Sequence, residues 1–267
     1  MTLESAYRGG DGDPLVLLHG FTDTWRAWRL VLPELTRHHA VFAPTLPGHH
    51  GGPPYDGAEL SVEGTLDQLA RMFADEGIER PHVAGNSLGG WYGLQMASRG
   101  LARSITAICP AGGWEPGSKE DRATLAFFAR TSTSLRIARP LLETIAKRPR
   151  LRTAAMRELI PDPSRVTSTD AYAMMEGARE TAVYDDSIAL AKRGEAFGDL
   201  GPIDVPVTIA YGTKDRLVRW PGHYTRIRKQ IPNAVYEPLE GLGHMPMWED
   251  PDRVAEIILQ TMGRSAP

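Results

Sequence analysis

The chain has 267 residues, 42% of them hydrophobic and 24% charged, a globular balance that excludes disordered and fibrous classes. Against 33 Asp and Glu stand 30 Lys and Arg, a net charge of −3 that provides no long-range field to gather a polynucleotide, so no nucleic-acid partner is expected. No apolar span reaches the roughly 20 residues of a membrane helix, which argues against a membrane partner.

The start "MTLESAYRGGDGDP" lacks a basic segment followed by an apolar core, and the single Cys109 cannot form an internal disulfide. Both features lead to the expectation of a cytoplasmic protein. Cys109 sits in the apolar run "SITAIC" and reads as a buried, inert thiol.

At most one brief strand precedes "LVLL" at Leu15, the first clear β run. Helical spacing in "TWRAWRLVLPEL" then predicts a crossover helix before the strand "AVFA" at Ala40. His49 and His50 follow; adjacent histidines point in different directions and lack partners at ligand spacing, so they read as exposed loop residues and no metal is expected. "SVEGTLDQLARMFADEG" predicts a helix with Ser61 as N-cap and Gly77 as its stop. The strand "HVA" at His82 leads into a helix over "SLGGWYGLQMASRG" stopped at Gly100, and "SITAIC" at Ser104 is the next strand.

From Glu115 to Asp199 no strand-like run interrupts the helical patterns, and the basic run "KRPRLR" within them reads as a solvated face. Strands resume at "VTIAY" from Val207 and "AVYEP" from Ala234. Continuous apolar runs suit strands covered on both faces, so the predicted fold class is α/β, a mostly parallel doubly wound sheet flanked by helices. Residues 1–114 and 200–267 form its core, and 115–199 form a helical insertion that reads as a lid.

"HVAGNSLGGW" places Ser87 between Gly85 and Gly89 where a strand turns sharply into a helix. Such a turn lifts a hydroxyl clear of the sheet, and the helix start aims backbone N–H groups at a reacting centre. A serine needs a base to take its proton, and the base needs an orienting carboxylate. "YGTKDRLV" supplies Asp215 just past one strand and "GLGHMPMWEDP" supplies His244 just past the next. Loops at one edge of a parallel sheet converge, so the three can meet. Backbone N–H groups of Phe21 and Leu88 could bracket a developing oxyanion. Against these readings stand plainer ones: a glycine turn at Ser87, a surface-loop histidine at His244, a helix cap at Asp215, with Asp185, Asp186 and Asp204 as spare acids.

His19-Gly20, "TLPGH" at Thr45–His49, the Gly85–Gly89 turn, "YGTKD" at Tyr211–Asp215 and "GxGHxPxxE" at Gly241–Glu249 resemble the α/β-hydrolase family in order and spacing. The resemblance covers nearly the whole chain and is strongest to the serine esterase and lipase branch. It implies Ser87 as nucleophile, His244 as general base, Asp215 as its partner, Phe21 and Leu88 as oxyanion donors, and 115–199 as the family's variable cap. The chain departs from the commonest pattern at Thr45, where Asp is frequent, and at His50, where Gly is usual.

The expected activity is cofactor-independent hydrolysis of a small or medium apolar carboxylic ester through an acyl-enzyme. "GNSLGG" also resembles the meta-cleavage-product hydrolases, which cleave C–C bonds of ring-fission products, although Met245 stands where they usually carry an aromatic residue. Cofactor-free perhydrolysis, and ligand sensing with an intact triad, are also compatible with these residues, whereas dehalogenase and epoxide hydrolase chemistry needs an aspartate in place of Ser87. No G-x-G-x-x-G follows a strand, so no nucleotide cofactor is expected. Trp91, Trp114 and Met245 are the expected pocket residues, with Met174, Met175 and Met247 as further apolar surface. Oligomeric state is left unassigned.

Overall fold

Leu15, Val16, Leu17 and Leu18 are all fully buried and divide by parity. Leu15 and Leu17 pack with Trp28, Trp248 and Ile258, whereas Val16 and Leu18 pack with Leu66, Trp91 and Leu94. Successive strand residues point to opposite faces, so this unbroken apolar run is what a strand covered on both sides requires.

A computed structural model describes residues 4–264. Its strands are β1 (Ala6–Gly9), β2 (Asp13–Leu18), β3 (His39–Pro44), β4 (His82–Asn86), β5 (Ser104–Ile108), β6 (Val207–Gly212) and β7 (Val235–Leu239). They form one sheet in the order β1-β3-β2-β4-β5-β6-β7, with β1 antiparallel to β3 and the other pairings parallel. The chain runs outward from β2 to β3 and then crosses back to β4 on the other side of β2. Loops leaving β2 and β4 therefore diverge from adjacent strand ends, the place where such sheets open a crevice.

The helices are α1 (Leu32–Leu35), α2 (Val62–Asp75), α3 (Leu88–Ser98), α4 (Lys119–Ala138), α5 (Leu142–Lys147), α6 (Pro149–Met156), α7 (Ser168–Glu180), α8 (Tyr184–Lys192), α9 (Thr225–Gln230) and α10 (Pro251–Met262). Ser61 caps α2 by accepting from the Gly64 N–H, and Gly77 and Gly100 take φ of +68° and +72° just beyond α2 and α3, as their sequence positions predict. Between β5 and β6 lie α4 to α8, and the "KRPRLR" stretch is mostly exposed there.

The helix predicted over "TWRAWRLVLPEL" does not form as one element. Trp25–Trp28 make a 3₁₀ turn capped by Thr24, and α1 is a single turn with Pro33 near its start. Proline lacks the N–H that a continuous helix would need there, and its ring clashes with the carbonyl four residues earlier. Trp25, Trp28, Leu32 and Leu35 are nonetheless all buried, so burial of the apolar side chains produced the periodicity without a continuous helix.

Candidate active site

Ser87 links β4 to α3 with φ +53° and ψ −113°, a conformation that L residues rarely adopt. Its neighbours must lack side chains. A Cβ on Gly85 would lie 2.2 Å from the Gly89 carbonyl oxygen, and a Cβ on Gly89 would lie 2.2 Å from that of Leu18. The Ser87 N–H donates to the Ile108 carbonyl (2.9 Å), and the Ser87 carbonyl accepts from Trp91 (3.1 Å) and Ala111 (3.0 Å). The backbone is thus fixed from two sides, while the hydroxyl makes no hydrogen bond among the described residues.

His244 Nδ1 donates to Asp215 Oδ2 at 2.7 Å, with both side chains almost completely buried. The remaining oxygen, Asp215 Oδ1, accepts from the Leu217 (2.7 Å) and Val218 (2.9 Å) N–H groups. No helix begins at those residues, the next helical turn being Gly222–Tyr224, so Oδ1 holds a turn rather than capping a helix, while Oδ2 engages His244. With Nδ1 engaged as donor, the neutral imidazole keeps Nε2 free to accept a proton. His244 and Ser87 line the same cavity.

Other groups that hold the histidine loop are not evident from the sequence. The Leu159 carbonyl, just after α6, accepts from the N–H groups of His244 (2.9 Å) and Met245 (3.2 Å). Asn86 Nδ2 donates to the carbonyls of His244 (2.9 Å) and Ile108 (3.1 Å), tying the serine turn to the histidine loop. Glu249 accepts from Gly243 (2.6 Å) through one oxygen and from Asp162 (3.0 Å) through the other. Only Glu249 carries a signal, as the last residue of "GxGHxPxxE".

On the other side of Ser87, a Cβ on Gly20 would lie 3.2 Å from the Ser87 Cβ, so the loop after β2 packs directly on the serine. His19 anchors this loop: its Nε2 accepts from the Leu46 N–H (2.8 Å), which leaves Nδ1 to donate to the Gly20 carbonyl (2.7 Å). Burial, followed by the neighbouring His49, holds its pKa well below the usual imidazole range, so it stays neutral. The N–H groups of Phe21 and Leu88 donate to no carbonyl among the described residues. They are free to stabilise negative charge.

Two cavities meet at Ser87. The larger, of about 160 Å³, is lined by Ser87, His244, Met245, Met174, Met175 and Asp23 among others. The smaller, of about 70 Å³, is lined by Leu88, Tyr92, Trp114, Leu125 and Ile188, and the two share Phe21, Ser87, Phe128 and Leu217. Trp114 and Met245 therefore line cavities. Trp91, expected beside them, does not: it is fully buried in the core, edge-on to Phe197 at 5.6 Å. Leu88 and Tyr92, one helical turn apart, occupy the cavity face of α3, and residue 91 is turned off that face. Met247 is likewise in the core.

His49 also departs from expectation. Rather than an exposed loop residue, it is buried with its ring 5.1 Å from His19 and 5.9 Å from Phe21, and burial lowers its pKa to about 4. Cys109, Asp215 and His244 bring one donor atom each within 4.8 Å of one another. Asp215 and His244 already satisfy each other, and burial pushes the Cys109 thiol well above its usual range, which disfavours a thiolate ligand.

Asp23, in the loop after β2, is buried, and its Oδ1 accepts from the Thr24 N–H at 2.8 Å while Oδ2 has no partner among the described residues. Burial, opposed by the Thr24 N–H, raises its pKa from the usual 3.8 to about 7. Between those values the folded protein holds a proton that the unfolded chain has released, so stability falls as pH rises through this window and stays lower above it. Thermal melts of Asp23→Asn and parent are expected to diverge in the variant's favour, more at about pH 8 than at about pH 5. Equal differences at the two pH values would show that the carboxylate is not uncompensated.

A doubly wound sheet with a serine turn, an acid–histidine pair and two free N–H groups at one edge defines an α/β-hydrolase, and a family model described as "Alpha/beta hydrolase family" matches residues 15–257. The chain belongs to that family and is a hydrolase. It is 29% identical over 212 residues to epoxide hydrolase EphH of Mycobacterium tuberculosis, covering 78% of this chain and 98% of that protein. It is 23% identical over 261 residues to a pimeloyl-[acyl-carrier protein] methyl ester esterase of Aeromonas hydrophila, covering 97% and 99%. Among solved structures, a meta-cleavage product hydrolase from Pseudomonas fluorescens IP01 superposes with a TM-score of 0.72 at 19% identity, over 98% of this chain and 94% of that one. No helix among the described residues is long and apolar enough to cross a membrane.

Proposed function

We propose that this hydrolase is a serine esterase acting on small or medium apolar carboxylic esters through an acyl-enzyme. The observation that carries the reading is His244, held by Asp215 and lining one cavity with a strained, unengaged Ser87. Ser87 Oγ attacks the carbonyl carbon as His244 Nε2 takes its proton, and the N–H groups of Phe21 and Leu88 receive the oxyanion. His244 then returns the proton to the departing alcohol, and water reverses the sequence to free the acid. Asp215 keeps the imidazole in one tautomer and stabilises its charged form. Residues 115–199 serve as the cap that closes both cavities.

Which cavity holds which half of the ester follows from the proton. The leaving alcohol must lie within reach of His244, so it occupies the larger cavity, and the acyl chain extends into the smaller one beside Leu88 and Trp114. Epoxide hydrolysis, the activity in the name of one relative, is disfavoured by chemistry: serine attack on an epoxide leaves an ether, which water cannot readily cleave, whereas a carboxylate nucleophile leaves an ester.

Steady-state hydrolysis of p-nitrophenyl esters from acetyl to dodecanoyl tests the reading. The expected result is an optimum among the short acyl chains, set by the smaller cavity. Inertness toward every ester, with Ser87 still labelled by a fluorophosphonate, would overturn the esterase assignment and leave C–C bond hydrolysis of diketones, assayed by bleaching of a coloured dienol, as its replacement.

A further inference from the structure

We propose that Asp23 determines specificity in the larger cavity by taking a hydroxyl group carried by the leaving alcohol of the substrate. This rests on the esterase reading and on the assignment of the alcohol to the His244 side.

Asp23 lines the cavity shared by Ser87 and His244, and it is more than nine-tenths buried there, at 9% exposure. Much of the surrounding lining is apolar: Leu135, Met156, Ile160, Met174 and Met175. A carboxyl group in such surroundings is costly unless something pairs with it. Among the described residues only the Thr24 N–H does so, and only at Oδ1. Asp23 takes part in no ion pair there, and its Oδ2 is left without any hydrogen-bond donor.

Beyond the Thr24 N–H on Oδ1, the local backbone gives the second oxygen no structural role. The turn is closed by the Asp23 N–H donating to the Gly20 carbonyl at 3.2 Å, a main-chain contact that any residue but proline could make. Just before it, Thr22 holds φ +67°, an unfavourable conformation for a β-branched residue. A strained residue beside a buried, half-satisfied acid, both in the loop that carries the Phe21 N–H, matches a position kept for binding rather than for stability.

A hydroxyl suits the site better than an ammonium. An ammonium carries three donors and would bury a full ion pair, whose desolvation the apolar lining does not offset. A hydroxyl carries one donor, and the carboxyl offers it an acceptor in either protonation state. Thr131 and Ser132, from α4, line the same cavity.

The test uses pentyl butanoate and 4-hydroxybutyl butanoate, which differ by a methyl in place of the terminal hydroxyl, with the parent, Asp23→Asn and Asp23→Leu. In kcat/KM the parent is expected to prefer the hydroxylated ester by about 10-fold or more. Asp23→Asn retains part of that preference, and Asp23→Leu reverses it. Binding of the same two esters to these chains in the Ser87→Ala background is the second readout, with the same ranking expected. Equal handling of the two esters by the parent, or an undiminished preference in Asp23→Leu, would overturn the proposal. Absence of turnover with intact binding discrimination would instead remove the esterase reading and leave the role of Asp23 standing. Should the larger leucine prevent folding, Asp23→Ala gives the same reading without added bulk.

Discussion

Ser87→Ala is expected to lower kcat/KM for ester hydrolysis by at least about 10⁴-fold while leaving the fold intact. The serine hydroxyl makes no hydrogen bond among the described residues, so its removal strands no buried partner. Alanine carries the same Cβ and meets the same backbone strain at φ +53°, so the turn is neither tightened nor relaxed. What disappears is the atom that forms the acyl-enzyme. Residual activity, if detectable, comes from the Phe21 and Leu88 N–H groups and from binding in the two cavities. Burst kinetics with p-nitrophenyl butanoate, run beside a thermal melt, check both halves. Parental turnover in a preparation free of the parent enzyme would refute Ser87 as nucleophile.

Gly89→Ala is expected to have the largest effect on the fold itself, above about 4 kcal/mol and sufficient to prevent recovery of native protein. The added methyl would lie 2.2 Å and 2.5 Å from the carbonyl oxygen and carbon of Leu18, and 2.6 Å from the carbonyl oxygen of His19. All three are main-chain atoms, so no rotamer change relieves the clash. Relief requires α3 to lift off β2, which opens the cluster of Leu18, Trp91 and Leu94 and pulls the Leu88 N–H away from Phe21. Gly93→Ala is the control, since the atoms nearest its methyl are side-chain ones, the Val83 Cγ1 at 3.3 Å and Ile105 methyls beyond that. A small shift of the urea midpoint is expected for Gly93→Ala, with gain in helix propensity opposing slight crowding, against a large loss or no native protein for Gly89→Ala. A Gly89→Ala protein with the parental midpoint would refute the steric account.

Much of this architecture is legible in the chain because it rests on side-chain pattern. Strands such as "LVLL" and "VTIAY" are apolar on both faces, and the placement of Asp215 and His244 just past strand ends brings them to one edge. The free N–H groups of Phe21 and Leu88 are locatable for a different reason: they are backbone atoms, so only their place just after β2 and β4 matters. What the chain hides depends on partners distant in sequence. His49 belongs to the polar-looking "PGHHGG", yet it is buried at the turn where Gly48 accepts from the N–H of Ala182 at 2.9 Å, more than a hundred residues away. The Leu159 carbonyl leaves no trace at all, because a main-chain acceptor looks the same in every residue. Trp91 lies outside the cavities because proximity to Ser87 along the chain does not decide which side of a helix a ring occupies.

The Leu159 contact also bears on how such a chain can diverge. The carbonyl that holds the His244 and Met245 N–H groups comes from the helical insertion, and Glu249 bridges the same histidine loop to Asp162. A segment that lines both cavities is thereby fastened to the loop that carries His244. Replacement of the whole insertion would remove the Leu159 and Asp162 contacts and is expected to loosen the histidine loop. Point changes within α4 and α7, upstream and downstream of the 159–162 stretch, leave those contacts in place.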